Sequence, residues 1–254
     1  MFSRPDQRQA DELRPIKIIR NFTKHAPGSV LVSFGDTQVI VTATVEERVP
    51  RHIYVLKEES TGWLTAEYAM LPGATNTRNQ RERLKVSGRT AEIQRLIGRT
   101  LRASVDLTKL GARTINIDAD VIQADGGTRV AAITGGYIAL VDCLNKLKAD
   151  GLLETIPDLK PVAAVSVGMV EGTEILDLNY DEDSVAEVDA NVVMNADGHL
   201  IELQMSSERA PLSRAQLDRL VDLAAKGTQE IFEIQQKALS QPLESLQLQA
   251  VQQV

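Results

Sequence analysis

The apolar positions of the chain fall into short alternating runs divided by Gly, Pro and Asp, and into three longer stretches with helical spacing. Val30, Leu31, Val32 and Phe34 lead into Gly35-Asp36, and Val39, Ile40, Val41 and Val45 lead out. β-Branched residues about a Gly-Asp turn predict a hairpin over 29–49. Trp63 to Met70 predicts another strand, stopped by Pro72-Gly73, and the polar, basic residues 73–86 predict a loop. From Ser87 to about Val105, Ile93, Leu96, Ile97 and Leu101 form a helical stripe, with Ser87 as the N-cap. Arg95, Arg99 and Arg102 fall on one face of that helix. Thr114 to Ile122 alternates as a strand, and a Gly-rich turn at 125–129 opens a second helix that runs to about Ala149.

The second half repeats this grammar. Val162–Val170 and Glu174–Asn179 predict strands, Val185–Met194 and Leu200–Met205 a hairpin turned at Asp197-Gly198, and Ser213–Ser240 a long helix. Strands followed by helices, twice over, predict an α+β protein of two halves within one domain over 1–240. The Gln-rich stretch 241–254 has no packing pattern and is expected to be disordered.

Composition narrows the class. Hydrophobic residues make up 43% of the 254 and aromatics only 4%, so aliphatic side chains must fill the core. With one cysteine, Cys143, no disulfide forms within the chain, and its apolar surroundings predict a buried, inert thiol. No apolar leader is evident and no run reaches about 18 apolar residues, so no membrane contact is expected and the cytoplasm is the default location. The net charge is −7, yet residues 75–102 hold eight Lys or Arg against Glu82 and Glu92. A basic segment on an acidic body suggests a local anion site, although a solvated helix face accounts for the same residues.

Two constellations could carry chemistry. Gly126-Gly127-Thr128-Arg129 stands at a helix start, where glycines admit an anion to free N–H groups and Thr and Arg add donors. A plain turn is the alternative. Asp177, Asp181, Glu182, Asp183, Glu187 and Asp189 lie within thirteen positions. Glu187, Asp189 and Asn191 share one strand face, an all-oxygen set suited to Mg²⁺ or Mn²⁺, though a solvated acidic edge reads the same way. P-loop, dinucleotide and nucleophile-elbow motifs are absent. His25, His52 and His199 have no zinc-ligand spacing.

Together these residues resemble the ribonuclease PH family. The resemblance rests on Asp11-Glu-Leu-Arg-Pro15, Gly62-Trp-Leu-Thr-Ala-Glu-Tyr68, Ser87-Gly-Arg-Thr-Ala-Glu-Ile-Gln-Arg-Leu-Ile-Gly-Arg99, Gln123-Ala-Asp-Gly-Gly-Thr-Arg129 and Asp177-Leu-Asn-Tyr-Asp-Glu-Asp183 with Glu187-Val-Asp189, and spans about 4–238. It implies a ribosomal protein S5 domain 2-like α+β fold, with mixed sheets packed against helices, and a hexameric ring built as a trimer of dimers. It implies phosphate-dependent 3′→5′ trimming of precursor tRNA, and of other RNA 3′ ends such as ribosomal RNA, with release of nucleoside diphosphates. The family's phosphate ligands fall on Arg89, Gly127, Thr128 and Arg129. Its catalytic aspartates, which would also hold Mg²⁺ or Mn²⁺, fall on Asp183 and Asp189, and Asp183 would either protonate the leaving oxygen or share the metal. Its RNA-binding arginines fall on Arg78 and Arg81.

The chain departs from the pattern in places. Gln7 stands where the family has Gly, Gly73 where it has a loop arginine, and Gln204-Met-Ser-Ser-Glu208 replaces the usual Gln-Gly-Thr run. Residues 51–61 are longer than usual. A non-catalytic RNA-binding ring subunit, as in exosome-like assemblies, and a hydrolytic Mg²⁺ nuclease are the rival readings. The first would be expected to lose the arginines or the aspartates, and the second leaves the Gly-Thr-Arg turn unexplained.

Overall fold

The computed structural model describes residues 3–51, 53, 61–82, 85–209 and 211–243. His52, Arg83, most of the long 51–61 stretch and the tail from 244 onward lie outside the described residues.

Two sheets enclose one central helix. The first has the order β1 (Ile16–Arg20), β2 (Gly28–Phe34), β3 (Thr37–Glu46), β5 (Thr114–Gln123), β4 (Trp63–Met70). The β2–β3 hairpin turns at Gly35-Asp36 as its sequence predicts, and β4 runs parallel to β5 while the other neighbours are antiparallel. The second sheet is antiparallel, in the order β7 (Thr173–Leu176), β6 (Val162–Val170), β8 (Val188–Asn195), β9 (Leu200–Ser207).

Helix α1 (Gly88–Ala103) packs Ile93, Leu96, Ile97 and Leu101 inward, and its Ser87 cap accepts a hydrogen bond from the Thr90 amide. Helix α2 (Thr128–Ala149) lies between the sheets, with apolar residues buried all round it. Among the described residues it is the one helix long and apolar enough by mean hydropathy to cross a membrane, although it holds no run of 18 apolar residues. Its most apolar window is 83% buried, the signature of a core helix. Strand β2 presses so close to it that a Cβ on Gly28 would sit 1.9 Å from the Ala139 carbonyl oxygen. Cys143 is buried on α2, and burial, with Asp142 alongside, pushes its thiol up to about 12.

Several boundaries differ from the sequence expectation. β1 was not expected, because IKIIR is short and follows Pro15. The strand expected over 174–179 stops at Leu176, where Asp177 turns the backbone to φ 54°. The acidic run, expected as loop and strand, begins as a short helix, α3 (Tyr180–Val185), started by a capping box between Asn179 and Glu182. β8 therefore begins at Val188 instead of Val185. Helix α4 (Arg214–Ser240) covers the second sheet and is started by a Ser213–Gln216 capping box.

Candidate active site

The Gly-rich turn between β5 and α2 is built from two consecutive left-handed residues, Gly126 at φ 73° and Gly127 at φ 66°. A side chain would be strained at either position and would also collide. A Cβ on Gly126 would lie 2.7 Å from the Leu178 carbonyl, and one on Gly127 would lie 2.8 Å from Arg14 Nη2. The Thr37 hydroxyl fixes the turn by donating to the Gly126 carbonyl at 2.6 Å and accepting from the Asp125 amide at 2.9 Å. The N-cap residue of the helix that follows, Gly127, makes no side-chain hydrogen bond to its first N–H groups. The Thr128 hydroxyl is shared with Tyr68 Oη at 2.8 Å.

This turn forms one wall of a cavity of about 410 Å³, and β8 and α3 form the opposite wall. Arg89, Gly127, Thr128, Arg129, Asp183 and Asp189 all line it, so residues up to a hundred positions apart in sequence meet in one cleft. Ser166, Tyr180 and Asn191 line it as well. Ser166 and Tyr180 were not singled out in the sequence; Tyr180 is 55% exposed, and only its place beside the acidic run hinted at a role.

Asp183 is open to the cleft, yet the protein packed around its carboxyl pushes its pKa up; Arg89 and Arg129 oppose that rise and Glu208 adds to it. Asp189 is raised first by burial, then by the charges of Asp183 and Glu208, against the pull of Arg129. Neither carboxylate has an ion-pair partner within 4.0 Å among the described residues. Glu208 ends the Gln204-Met-Ser-Ser-Glu208 departure. Residues 204–207 are the end of β9, and Glu208, just past the strand, brings a third negative charge near the pair.

The other acids of the run have different work. Asp177 and Glu182 are buried, and three arginines of the N-terminal segment hold them. Arg4 donates from Nε to Glu182 Oε1 at 2.7 Å and from Nη2 to Oε2 at 2.8 Å. Arg14 donates from its amide and Nε to Asp177 Oδ2 at 2.8 and 3.0 Å and from Nη2 to Oδ1 at 2.7 Å. Its Nη1 reaches the Asp125 carbonyl at 2.5 Å. Arg8 Nη1 donates to the Asp177 carbonyl at 3.0 Å. The acidic cluster expected as metal ligands thus divides: Asp177 and Glu182 are structural, and Glu187 does not line the cleft.

The basic segment divides too. Of its described members only Arg89 lines the cleft. Arg81 lines an adjoining cavity of about 430 Å³ that shares Met70, Asn79 and Arg89 with it. Arg78 is exposed and borders neither cavity. Arg99 pairs with Glu202 at 2.7 Å, and Arg102 stacks on Trp63 at 4.7 Å.

Models described as the 3′ exoribonuclease family, domain 1 and domain 2, match residues 12–144 and 160–227. Ribonuclease PH of Synechococcus sp. (strain JA-3-3Ab) is 56% identical over 242 residues, 94% of this chain and 99% of the relative. That of strain JA-2-3B'a(2-13) is 55% identical, again over 94% of this chain. The chain belongs to the ribonuclease PH family. Solved structures place it on the same fold. Rice (Oryza sativa) Rrp46 superposes with a TM-score of 0.72 at 19% identity, covering 93% of this chain and all of that one. The Archaeoglobus fulgidus exosome with RNA bound to the active site superposes at 0.75 and 23% identity, covering 91% of this chain and 92% of that one. The α+β fold expected from the ribonuclease PH resemblance is the fold observed.

Proposed function

We propose that this cleft performs phosphorolysis: inorganic phosphate attacks the last phosphodiester of an RNA 3′ end, precursor tRNA above all, and a nucleoside diphosphate leaves. The observation that carries this is the convergence of Arg89, the Gly127-Thr128-Arg129 turn, Asp183 and Asp189 in one cavity of about 410 Å³. A cationic, donor-rich wall faces a pair of carboxylates that have no ion-pair partner among the described residues. A hydrolytic nuclease attacks with water and needs no site for a second phosphate, and a non-catalytic ring subunit needs no carboxylate pair beside such a site.

Arg89 and Arg129 bind the attacking phosphate, aided by the free amides at the start of α2, and meet the charge that grows on the transferring phosphoryl group. As the new P–O bond forms and the bond to O3′ breaks, O3′ needs a proton. The Asp183 carboxyl, raised by its packing, is placed to hold and deliver it. The two crowded carboxylates, without ion-pair partners among the described residues, also fit a hard divalent cation: Asp189 would hold Mg²⁺ or Mn²⁺, and Asp183 would share it in place of the proton-donor role, the remaining ligands coming from water and substrate. Among the described residues no third His, Cys, Asp or Glu completes such a group. When bound, the ion would offset phosphoryl charge.

Arg81, which lines the adjoining cavity, and Arg78, exposed a few residues before it, would track the RNA backbone. The reading extends to one catalytic domain over 1–240, a homohexameric ring and a cytoplasmic location. Product analysis tests the chemistry. With phosphate, RNA should shorten and release nucleoside diphosphates; monophosphates released in phosphate-free buffer would overturn the proposal.

A further inference from the structure

Arg129 is held from outside the cleft. Its Nη1 lies 3.3 Å from Glu92 Oε2 and donates to Gln204 Oε1 at 3.4 Å. Glu92 and Gln204 do not line the cleft. They line a separate groove of about 340 Å³ between α1 and β9, on the other side of Arg129. Glu92 Oε1 is enclosed and has no hydrogen-bond partner among the described residues. A carboxylate with one enclosed, unpaired oxygen is unfavourable in itself, so its presence needs a reason.

The geometry points to Glu92, seconded by Gln204, as the positioning residue that aims Arg129 at phosphate. This rests on the phosphorolytic reading of the cleft. A guanidinium whose Nη1 is tied down retains the Nε–Nη2 edge, whose two parallel N–H groups match two oxygens of one phosphate. Neither Nε nor Nη2 of Arg129 donates to a protein acceptor among the described residues. Helix α1 therefore contributes twice: Arg89 in the cleft and, three residues on, Glu92 behind Arg129. Glu92 touches no reacting atom and acts through Arg129 alone.

Positioning and simple charge make opposite forecasts. If Glu92 only diluted the positive charge of Arg129, its removal would tighten phosphate binding. If it aims the guanidinium, removal weakens it. The experiment is phosphorolysis of single-stranded RNA by the full chain over a phosphate titration, with thermal unfolding of each variant as a control. Glu92→Ala should raise KM for phosphate on the order of tenfold, as loss of an orienting partner does at other anchored sites. Its kcat should change less than about threefold. Glu92→Gln, which keeps an acceptor oxygen for Nη1, should restore most of the loss. Gln204→Ala should raise KM severalfold while leaving α1 intact, and it carries the test if Glu92→Ala does not fold. An unchanged or lowered KM in Glu92→Ala, or no effect of Gln204→Ala, overturns the inference. A phosphate-dependent wild type with an indifferent Glu92→Ala overturns it alone, whereas a wild type indifferent to phosphate sinks the reading of the cleft and this inference with it.

Discussion

Replacing Asp177 with asparagine keeps the shape of the side chain and suits the left-handed backbone at φ 54°, so the change is almost purely one of charge. That charge is the counterion of Arg14, and the two side chains are 0% and 3% exposed. Burial works against the Arg14 cation, but its hydrogen bonds to Asp177 and the charges of Asp177, Asp125 and Glu182 outweigh that, leaving its pKa raised. Without Asp177, the enclosed cations Arg4, Arg8 and Arg14 would face only Glu182 as an equally buried anion. Breaking a buried pair from one side costs about 3–5 kcal/mol. For a chain of this size each kcal/mol moves Tm by roughly 2–4 °C, so Tm should fall by about 10 °C. The site should suffer as well, because Arg14 Nη1 holds the Asp125 carbonyl and its Nη2 lies against Gly127. The assay is thermal unfolding of both proteins with and without millimolar phosphate. A ligand that binds only the folded state raises Tm, so the phosphate-induced rise should shrink in Asp177→Asn. A fall in Tm under about 3 °C, with an unchanged phosphate increment, would refute the account of this cluster as the support of the phosphate turn.

Other consequences can be checked independently. Gln7 is exposed and sits at φ 65°, closing a turn onto the Arg4 carbonyl, so Gln7→Gly should stabilise the fold by about 0.5–1 kcal/mol in denaturant unfolding, the relief of left-handed strain less the added chain entropy. Cys143, with its thiol pushed up to about 12, should resist maleimide at pH 8 in the folded protein and react promptly in denaturant. Arg89→Ala should cut phosphorolysis by on the order of a hundredfold at fixed phosphate, measured as nucleoside diphosphate release. A Cβ at Gly73 would meet nothing within 4 Å, so Gly73→Arg should fold normally and steepen the salt dependence of tRNA binding by about one unit, while Arg78→Ala with Arg81→Ala should flatten it by one or two with KM for phosphate unchanged.

Local chemistry made much of this legible in the sequence. Ser87 reads as a helix cap because a Ser side chain before an apolar helical stripe can accept from a free amide of the first turn, and the alternation around Asp189 reads as a strand because successive side chains of a strand fall on opposite faces. What stayed hidden was pairing over long separations. Nothing in the spacing of Arg4, Arg8 and Arg14 says that they reach residues 125, 177 and 182, and nothing near Glu92 says that Arg129 lies beside it.

The acidic run shows the limit most clearly. Asp177, Glu182, Asp183 and Asp189 are the same chemistry within thirteen positions, and periodicity cannot rank them. The fold ranks them by partner. Asp177 and Glu182 point towards the N-terminal arginines, are neutralised there and become struts. Asp183 and Asp189 line the cleft instead, have no ion-pair partner within 4.0 Å among the described residues, and are left crowded with Glu208 near the Gly-rich turn. Unpaired charge held in place by paired charge is the arrangement a substrate or a divalent ion can complete. The three N-terminal arginines, which touch neither, therefore belong to the site as much as the residues that line it.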